Sequence, residues 1–590
     1  MSTVDDLAKN LREISISEFF EKNRHLLGFD SRIKALLTTV KEAVDNALDA
    51  CEEYYYISKG KAPTPDILVK VEKTEDVYHI IKNNIAVGEV VKRGDNYSII
   101  FEGMRASFRS KYAGHNFEVD GHKIKIVTNN ERMSVYVDNK IYDTKLNSSK
   151  YRVTVRDNGP GISKENIPNI FGKLLYGSKF HRLKQSRGQQ GIGITAAVLY
   201  GQITTGRPAV ITSKIKGKKA YRVEVMIDTS KNKPEIISTK EVEFSNEHGT
   251  QIEIELEGIY LSKGEKSVYE YIRRTAIVNP HATITFIDPS SNKFVFKRTT
   301  DVFPKEPMEI KPHPYGLELG MLIKMLKYTK RRSVQEFLSK ELSRVSEAVA
   351  KRVLEKAGID NKRPSDITRD EAERILKALQ REKLLKPPTN CLSPIGAELL
   401  EKSLRKDTGA EFAITLTRPP TVYRGIPFQV EVGLAYGGEI KQFQLLRYAN
   451  KIPLQYDQSS GAIVKAVNQV GWKRYNIQES QSGLPQAPLV VLVHLASVWV
   501  PYTSEGKSAI ANYPVIIKEI KLALQDAARG LKRYLSGKHR EIMKKERAAR
   551  FVAYGEEVAY ALSNLTGVPQ EKIIKAIKKL IESKYKAKVE

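Results

Sequence analysis

The chain has almost no cysteine: Cys51 and Cys391 are its only two in 590 residues. A disulfide framework and a cysteine-based zinc site are excluded, and this usage suits a reducing cytoplasm. Long apolar runs are also missing. The longest, 488–502, is interrupted by His494 and reads as a buried strand rather than a membrane span. The N-terminus is polar and charged, unlike a signal peptide. Acidic residues are outnumbered, 69 Asp and Glu against 97 Lys and Arg, for a formal charge of +28. That excess argues against a neutral metabolic enzyme and for a polyanionic partner, the alternative being a general basic bias of the surface. No D-x-D pair occurs of the kind a two-metal cleavage domain would use. There are no internal repeats or low-complexity tracts. At this length several domains are expected.

Three segments carry chemistry. In KEAVDNALDA, Glu42 and Asn46 are four residues apart and share one helix face, with Asp49 a turn further on. Leu36, Leu37, Val40 and Val44 suit the buried side of that helix. Asp157-Asn158-Gly159-Pro160-Gly161 follows the apolar strand YRVTV. Then Arg187, Gly188, Gln189, Gln190, Gly191, Ile192, Gly193 and Ile194 open a helix running into TAAVLY. Glu42 can act as a general base, and the amide oxygen of Asn46 can ligate Mg²⁺. Asp157 can accept a hydrogen bond from an exocyclic amine. Glycines at a helix start admit phosphates close to backbone N–H groups. Each segment alone is commonplace: a solvated helix face, a turn, a weak glycine pattern. Their order is what makes a nucleotide site.

That order, ExxxNxxD, DNGPGI, GxxGIGI and a later HGT, resembles the GHKL ATPase family of gyrase, heat-shock chaperone, histidine kinase and mismatch-repair protein. FGKLLYGSKFHRLKQSRGQQGIGI, 171–194, resembles the branch formed by the B subunits of archaeal-type topoisomerase VI. The resemblance covers nearly the whole chain. It implies an α+β multidomain protein: a GHKL (Bergerat) ATPase α/β sandwich, a helical helix-two-turns-helix domain, and an α/β transducer domain with a long C-terminal stalk helix. It implies ATP and Mg²⁺ as cofactors, with Ser178 and Lys179 in a mobile lid and Thr250 of the HGT segment at the adenine edge. Lys507, in PYTSEGKSAIA, matches a switch lysine that reaches the γ-phosphate, although a loop lysine is ordinarily solvated. Implied partners are an A subunit in an A2B2 heterotetramer, a second copy of the chain on ATP binding, and double-stranded DNA. No membrane is implied, and the location is cytoplasmic and nucleoid-associated.

Along the chain, 1–30 holds an aromatic knot, EFFEKNRHLLGF, that either packs on its own domain or acts as a strap across a dimer mate. The ATPase domain is expected at 31–305, with a β-rich insertion at about 74–149 that the resemblance does not lead one to expect. Helical patterns span 306–405, including a Thr cap before Asp370 and Glu371. Lys330, Arg331 and Arg332 stand at a predicted helix-connecting turn there, either solvated or touching phosphate. The transducer is expected at 406–535. In it Trp472, Lys473, Arg474 and Tyr475 interleave aromatics and cations, suited to nucleic acid or to a packed aromatic pair at a seam. A stalk helix and partner-binding segment follow at 536–590. The reading is a helix over 514–550, breaking at Gly537 and carrying a basic stripe, and then an apolar face with nothing to pack on. A histidine kinase is a competing reading, but His25 is the sole histidine before Glu42 and lies in the aromatic knot. A mismatch-repair clamp or a chaperone is another, opposed by the helical middle and the SEGKSAIA context.

Overall fold

In the computed structural model, the residues described are 18, 20, 22–109, 117–119, 121–129, 132–177, 182–188, 191–455, 459–504 and 506–585. Helix α1 (Arg32–Ile57) is capped by Ser31, whose hydroxyl accepts from the Lys34 N–H. Leu36, Leu37, Val40, Val44, Ala47 and Leu48 form its buried stripe. The long strand β1 (Asp66–Lys82) is followed by β2 (Ile85–Arg93), β3 (Asn96–Phe101), β4 (Met104–Arg109), β5 (Phe117–Val119), β6 (His122–Asn129) and β7 (Arg132–Val137). A second long strand, β8 (Lys140–Arg156), returns antiparallel to β1 from Leu68↔Arg156 out to Ile81↔Asp143. Ile67, Val69 and Val71 of β1 alternate into the core with Tyr151, Val153 and Val155 of β8.

Then come α2 (Gly193–Thr205), β9 (Ala209–Lys214), β10 (Ala220–Asp228), β11 (Lys233–Val242), β12 (Gly249–Gly258), α3 (Val268–Val278) and β13 (Thr283–Ile287). The main sheet runs β11-β10-β9-β12-β8-β1-β2-β3-β4. Strand β13 pairs in parallel with the first part of β1, Asp66↔Thr283 to Lys70↔Ile287, and antiparallel with the short β14 (Lys293–Phe296), and α1, α2 and α3 contribute to the same core.

The 74–149 segment is an outgrowth of the central strands themselves, because β1 and β8 stay paired into it. It has its own core of Ile80, Val90, Tyr97, Ile99, Phe101, Ile124, Ile126, Val135 and Tyr142. Strand β4, MRASFR, alternates, its inward residues including Ala106, a weak β former. Phe20 and Phe29 are buried on their own domain, with ring centroids 5.8 Å apart and Phe29 5.1 Å from Tyr200. For those two rings the packing alternative holds; most of the expected strap lies outside the described residues.

Helices α4 (Leu319–Tyr328), α5 (Val334–Glu341), α6 (Glu347–Ala357) and α7 (Arg369–Arg381) share a separate core around Leu322, Phe337, Val353 and Ile375. Thr368 and Glu371 form a reciprocal capping box at the start of α7. Helix α8 (Ala397–Thr408) leads into a second sheet of β15 (Phe412–Thr417), β16 (Thr421–Tyr423), β17 (Ile426–Tyr436), β18 (Gln444–Ala449) and β19 (Ile452–Pro453). The apolar run is its central strand, Leu489–Ser497, antiparallel to β17 and parallel to β18. His494 is tolerated there because Glu431 lies 2.8 Å from Nδ1 and the Lys451 N–H donates to Nε2 at 3.0 Å.

Helix α9 (Ala462–Asn468) and the first third of α10 (Pro514–Thr566) cover this sheet. Two expectations at the C-terminal end are corrected. Helix α10 runs unbroken through Gly537, a half-buried position with open space where a Cβ would stand and where one glycine is only mildly costly. The apolar face after residue 550 does have something to pack on. Helix α11 (Gln570–Tyr585) folds back along it, and Gly555 makes room for Ile577, whose Cγ2 would lie 2.8 Å from an added Cβ. Tyr554 and Leu565 of that face remain 72% and 81% exposed. Among the described residues no helix is long and apolar enough to cross a membrane.

Candidate functional site

A cavity of about 600 Å³ opens between α1, the end of β8, the start of α2 and the loop around Lys507. Helix α1 contributes Glu42, Asn46 and Ala50 to its wall, a four-residue spacing that keeps them on one stripe. The Asn46 amide makes no side-chain hydrogen bond among the described residues, so its oxygen is free to serve a ligand.

Asp157 lines the cavity where β8 ends. Its Oδ1 accepts from the N–H groups of Gly159 at 2.8 Å and Thr250 at 3.2 Å. Burial pushes its pKa up to about 6 against the pull of those two donors. None of the described residues donates to its Oδ2, leaving an acceptor for a bound amine. The turn after it is locked from outside. Asn158 Oδ1 accepts from the Asp66 N–H and its Nδ2 donates to the Thr64 carbonyl, both at 2.9 Å. His248 Nδ1 donates to the Gly159 carbonyl at 2.6 Å. Gly161 has φ +77° and sits where a Cβ would come within 2.1 Å of the Lys214 carbonyl oxygen.

Gly188, Gly191, Ile192, Gly193 and Ile194 form the opposite wall, and α2 begins at Gly193. A Cβ on Gly193 would lie 1.9 Å from Glu42 Oε2. Only glycine lets that carboxylate approach the positive end of α2. Thr250 also lines the cavity, and its hydroxyl shares a hydrogen bond of 2.9 Å with Ser213. Ser213, which accepts from the Ile162 N–H at 2.8 Å, was not anticipated, since a strand serine carries no signal of its own. Ser178, Lys179, Gln189 and Gln190 lie outside the described residues.

Lys507 is the member that local pattern alone would leave in solvent. It is 7% exposed and lines the cavity, with Nζ 3.6 Å from Glu42 Oε1 and donating to the Arg187 carbonyl at 3.2 Å. Burial alone would lower its pKa, but Glu42, Asp45 and Asp49 outweigh it and hold the ammonium above its ordinary value.

Arg187 is a correction. Its carbonyl faces the site, but its guanidinium turns away from the cavity into a neighbouring polar crevice. There it donates to Asp49 Oδ1 at 2.8 Å and to Glu52 Oε1 and Asn279 Oδ1 at 2.5 Å each. Burial would raise the pKa of Glu52, but Arg187 and Lys451 hold it well below the usual carboxylate range. His281, 2.9 Å from the same oxygen, has its pKa lowered by burial. The crevice continues to the second sheet, where Lys451 donates to Ser393 and Asn450 to the Ser186 carbonyl.

The two basic candidate patches fare differently. Lys330, Arg331 and Arg332 are exposed between α4 and α5, but Arg331 is engaged by Glu341 at 2.7 Å and Glu336 at 3.5 Å. Trp472 is fully buried with its Nε1 donating to the Val467 carbonyl, and Tyr475 is 9% exposed. Both rings are spent on the core of the second sheet, within one core rather than at a seam, and cannot stack on nucleic acid. Lys473 and Arg474 stay exposed.

Residues 118–254 match the family model described as histidine kinase-, DNA gyrase B- and HSP90-like ATPase, which implies ATP binding. Residues 387–547 match the model of the topoisomerase VI B subunit transducer. The B subunit of type 2 DNA topoisomerase 6 from Archaeoglobus fulgidus is 45% identical over 534 residues, 90% of this chain and 75% of that one. Its counterpart in Pyrococcus horikoshii is 38% identical over 99% of this chain and 97% of that one. Among solved structures, the DNA gyrase B subunit of Myxococcus xanthus is similar at 10% identity and a TM-score of 0.38, covering 87% of this chain and 94% of that one, which is too distant to argue from. With relatives this similar along nine-tenths or more of its length, the chain belongs to the family of type 2 DNA topoisomerase 6 B subunits.

Proposed function

We propose that the chain binds and hydrolyses ATP to drive one DNA duplex through a double-strand break made by an A subunit, in an A2B2 assembly. The observation that carries this reading is that Lys507, from beyond the second sheet, lines the same cavity as Glu42 and Asp157. A nucleotide there would touch two domains at once. The cavity volume suits a nucleoside triphosphate. Asp157 accepts the adenine amine, and the N–H groups of 188–193 with the α2 N-terminus receive the phosphates. Glu42 takes a proton from the attacking water, and Lys507 meets the γ-phosphate as a point charge.

Among the described residues no cluster of three His, Cys, Asp or Glu could hold a metal. Mg²⁺ takes most of its ligands from phosphate oxygens and water, so the single amide oxygen of Asn46 fits it. When bound, the ion neutralises charge on the phosphates.

The division proposed is a strap at 1–30, the ATPase domain at 31–305, a helix-two-turns-helix domain at 306–405, the transducer at 406–535, and a stalk with partner-binding segment at 536–590. ATP closes two copies into a dimer around DNA, and hydrolysis reopens it. The test is relaxation of supercoiled DNA by the chain mixed with its A subunit, which should occur only with ATP. Duplex DNA should stimulate the ATPase at low salt. Replacing Lys330 and Arg332, or Lys473 and Arg474, should flatten the salt dependence of DNA binding by about 0.9 in log–log slope for each phosphate no longer neutralised. ATP-independent relaxation, or no stimulation by DNA, would refute this reading.

A further inference from the structure

Beside Glu42 on α1 stands Lys41, which does not line the nucleotide cavity. It is 6% exposed. A buried ammonium is costly unless its hydrogens and charge are used. Its Nζ donates to the carbonyl oxygen of Gly506 at 3.2 Å, the residue immediately before Lys507. The contact ties the first helix of the chain to a loop 465 positions away.

The loop needs such a tie. Lys507 has φ +54°, in the left-handed region that a side chain rarely adopts. Such backbone persists only where its surroundings over-determine it. Within the loop the Lys507 N–H donates to the Ser504 carbonyl and the Thr503 N–H to Ala509. From outside, Lys41 grips the Gly506 carbonyl, while the Lys507 side chain itself reaches Arg187 and Glu42.

The electrostatics match this arrangement. Two like charges, Lys41 and Lys507, are held beside Glu42 and Asp45. Asp45 Oδ1 accepts from the Tyr271 hydroxyl at 3.0 Å, and its Oδ2 is buried without a partner. Burial, and then the Lys507 charge, brings the pKa of Lys41 down to about 8.

We infer that Lys41 is a positioning residue for Lys507: its ammonium clasps the Gly506 carbonyl and so fixes where the Lys507 charge stands relative to a terminal phosphate. Lys41 touches no nucleotide and acts through the loop. The inference rests on Lys507 sensing the γ-phosphate.

The test compares Lys41→Met, Lys507→Met and the double variant in the full chain. Affinities for ADP and for a non-hydrolysable ATP analogue are measured alongside turnover and thermal melting. Lys41→Met should lower analogue affinity about tenfold while ADP affinity stays within about twofold, the size of an ordinary coupling between sites. In the Lys507→Met background it should add nothing further, since both act through one contact. Lys41→Arg, which keeps a charged donor, should recover part of the discrimination and turnover. Should Lys41→Met melt too early to assay, Lys41→Gln, with a shorter neutral donor, takes its place and should show a partial loss confined to the analogue. Equal losses for ADP and analogue, full additivity with Lys507→Met, or unchanged discrimination would each overturn the inference. If Lys507→Met itself leaves the analogue-to-ADP ratio unchanged, the γ-phosphate reading fails instead.

Discussion

Helix α1 carries two polar groups of residues two turns apart, and they are treated in opposite ways. Midway along it, Glu42 and Asn46 face a cavity with few protein partners. Further along, Asp49 and Glu52 are almost wholly consumed by Arg187, with His281 and Asn279 completing the cluster. A single helix thus holds an unsaturated site for a ligand and a saturated joint toward the second sheet. Groups left short of partners are available for chemistry. Groups fully paired in a buried place hold segments in one arrangement, and they cost much if only one partner is removed. Arg187 joins the two, its side chain in the joint and its carbonyl against Lys507.

Breaking the cavity side should have the largest effect on rate. Glu42→Ala should slow ATP hydrolysis by about 10²–10⁴-fold while melting temperature and nucleotide affinity change little; steady-state turnover beside calorimetry checks both. Near-normal turnover would remove Glu42 from the mechanism.

Breaking the joint should do the reverse. Arg187→Met strands Asp49 and Glu52 as buried carboxylates and should cost about 3–5 kcal/mol of stability, seen as a lower midpoint in denaturant. A variant that melts like the parent would mean the cluster holds nothing together.

The contrast sharpens with pH. The Asp157 pKa, raised to about 6, has a defined sign. The folded state binds this proton more tightly than the unfolded chain. This group's contribution to stability therefore rises as pH falls from about 6 toward 4 and is lost as pH rises through 6. Adenine recognition as proposed uses the carboxylate, so on that reading ADP affinity should fall by about tenfold per unit below pH 6. Titration calorimetry at several pH values checks this, and Asp157→Asn should abolish the pH dependence. The smallest effect is expected for Asp49→Asn, where Arg187 keeps Glu52 and an amide oxygen in place of the carboxylate. A loss of roughly 1–2 kcal/mol follows from one weakened charged hydrogen bond, measurable by denaturant unfolding.

The local placement of each motif was legible in the sequence because it depends on short-range geometry. Four-residue spacing sets Glu42 and Asn46 on one stripe whatever the helix packs against. A DNGPG turn after a strand needs its glycines for its own backbone, and a glycine entry to α2 follows from what must approach it. Periodicity likewise marked α1, the capped α7 and the buried strand at 488–502. Long-range destinations were not legible. The pattern of RGQQGIGI cannot say that Arg187 points away from the cavity, because Glu52 and Asn279 come to it from distant segments. WKRY reads the same whether its rings are exposed or sealed beneath α10. The return of α11 onto α10 depends on a small residue, Gly555, that looks like any other glycine. Above all, Lys507 could be a solvated loop lysine by every local measure. Only the docking of the second sheet's loop onto α1 decides that its charge stands beside Glu42, because a contact between residues so far apart in the chain is set by how separate cores pack and not by sequence neighbours.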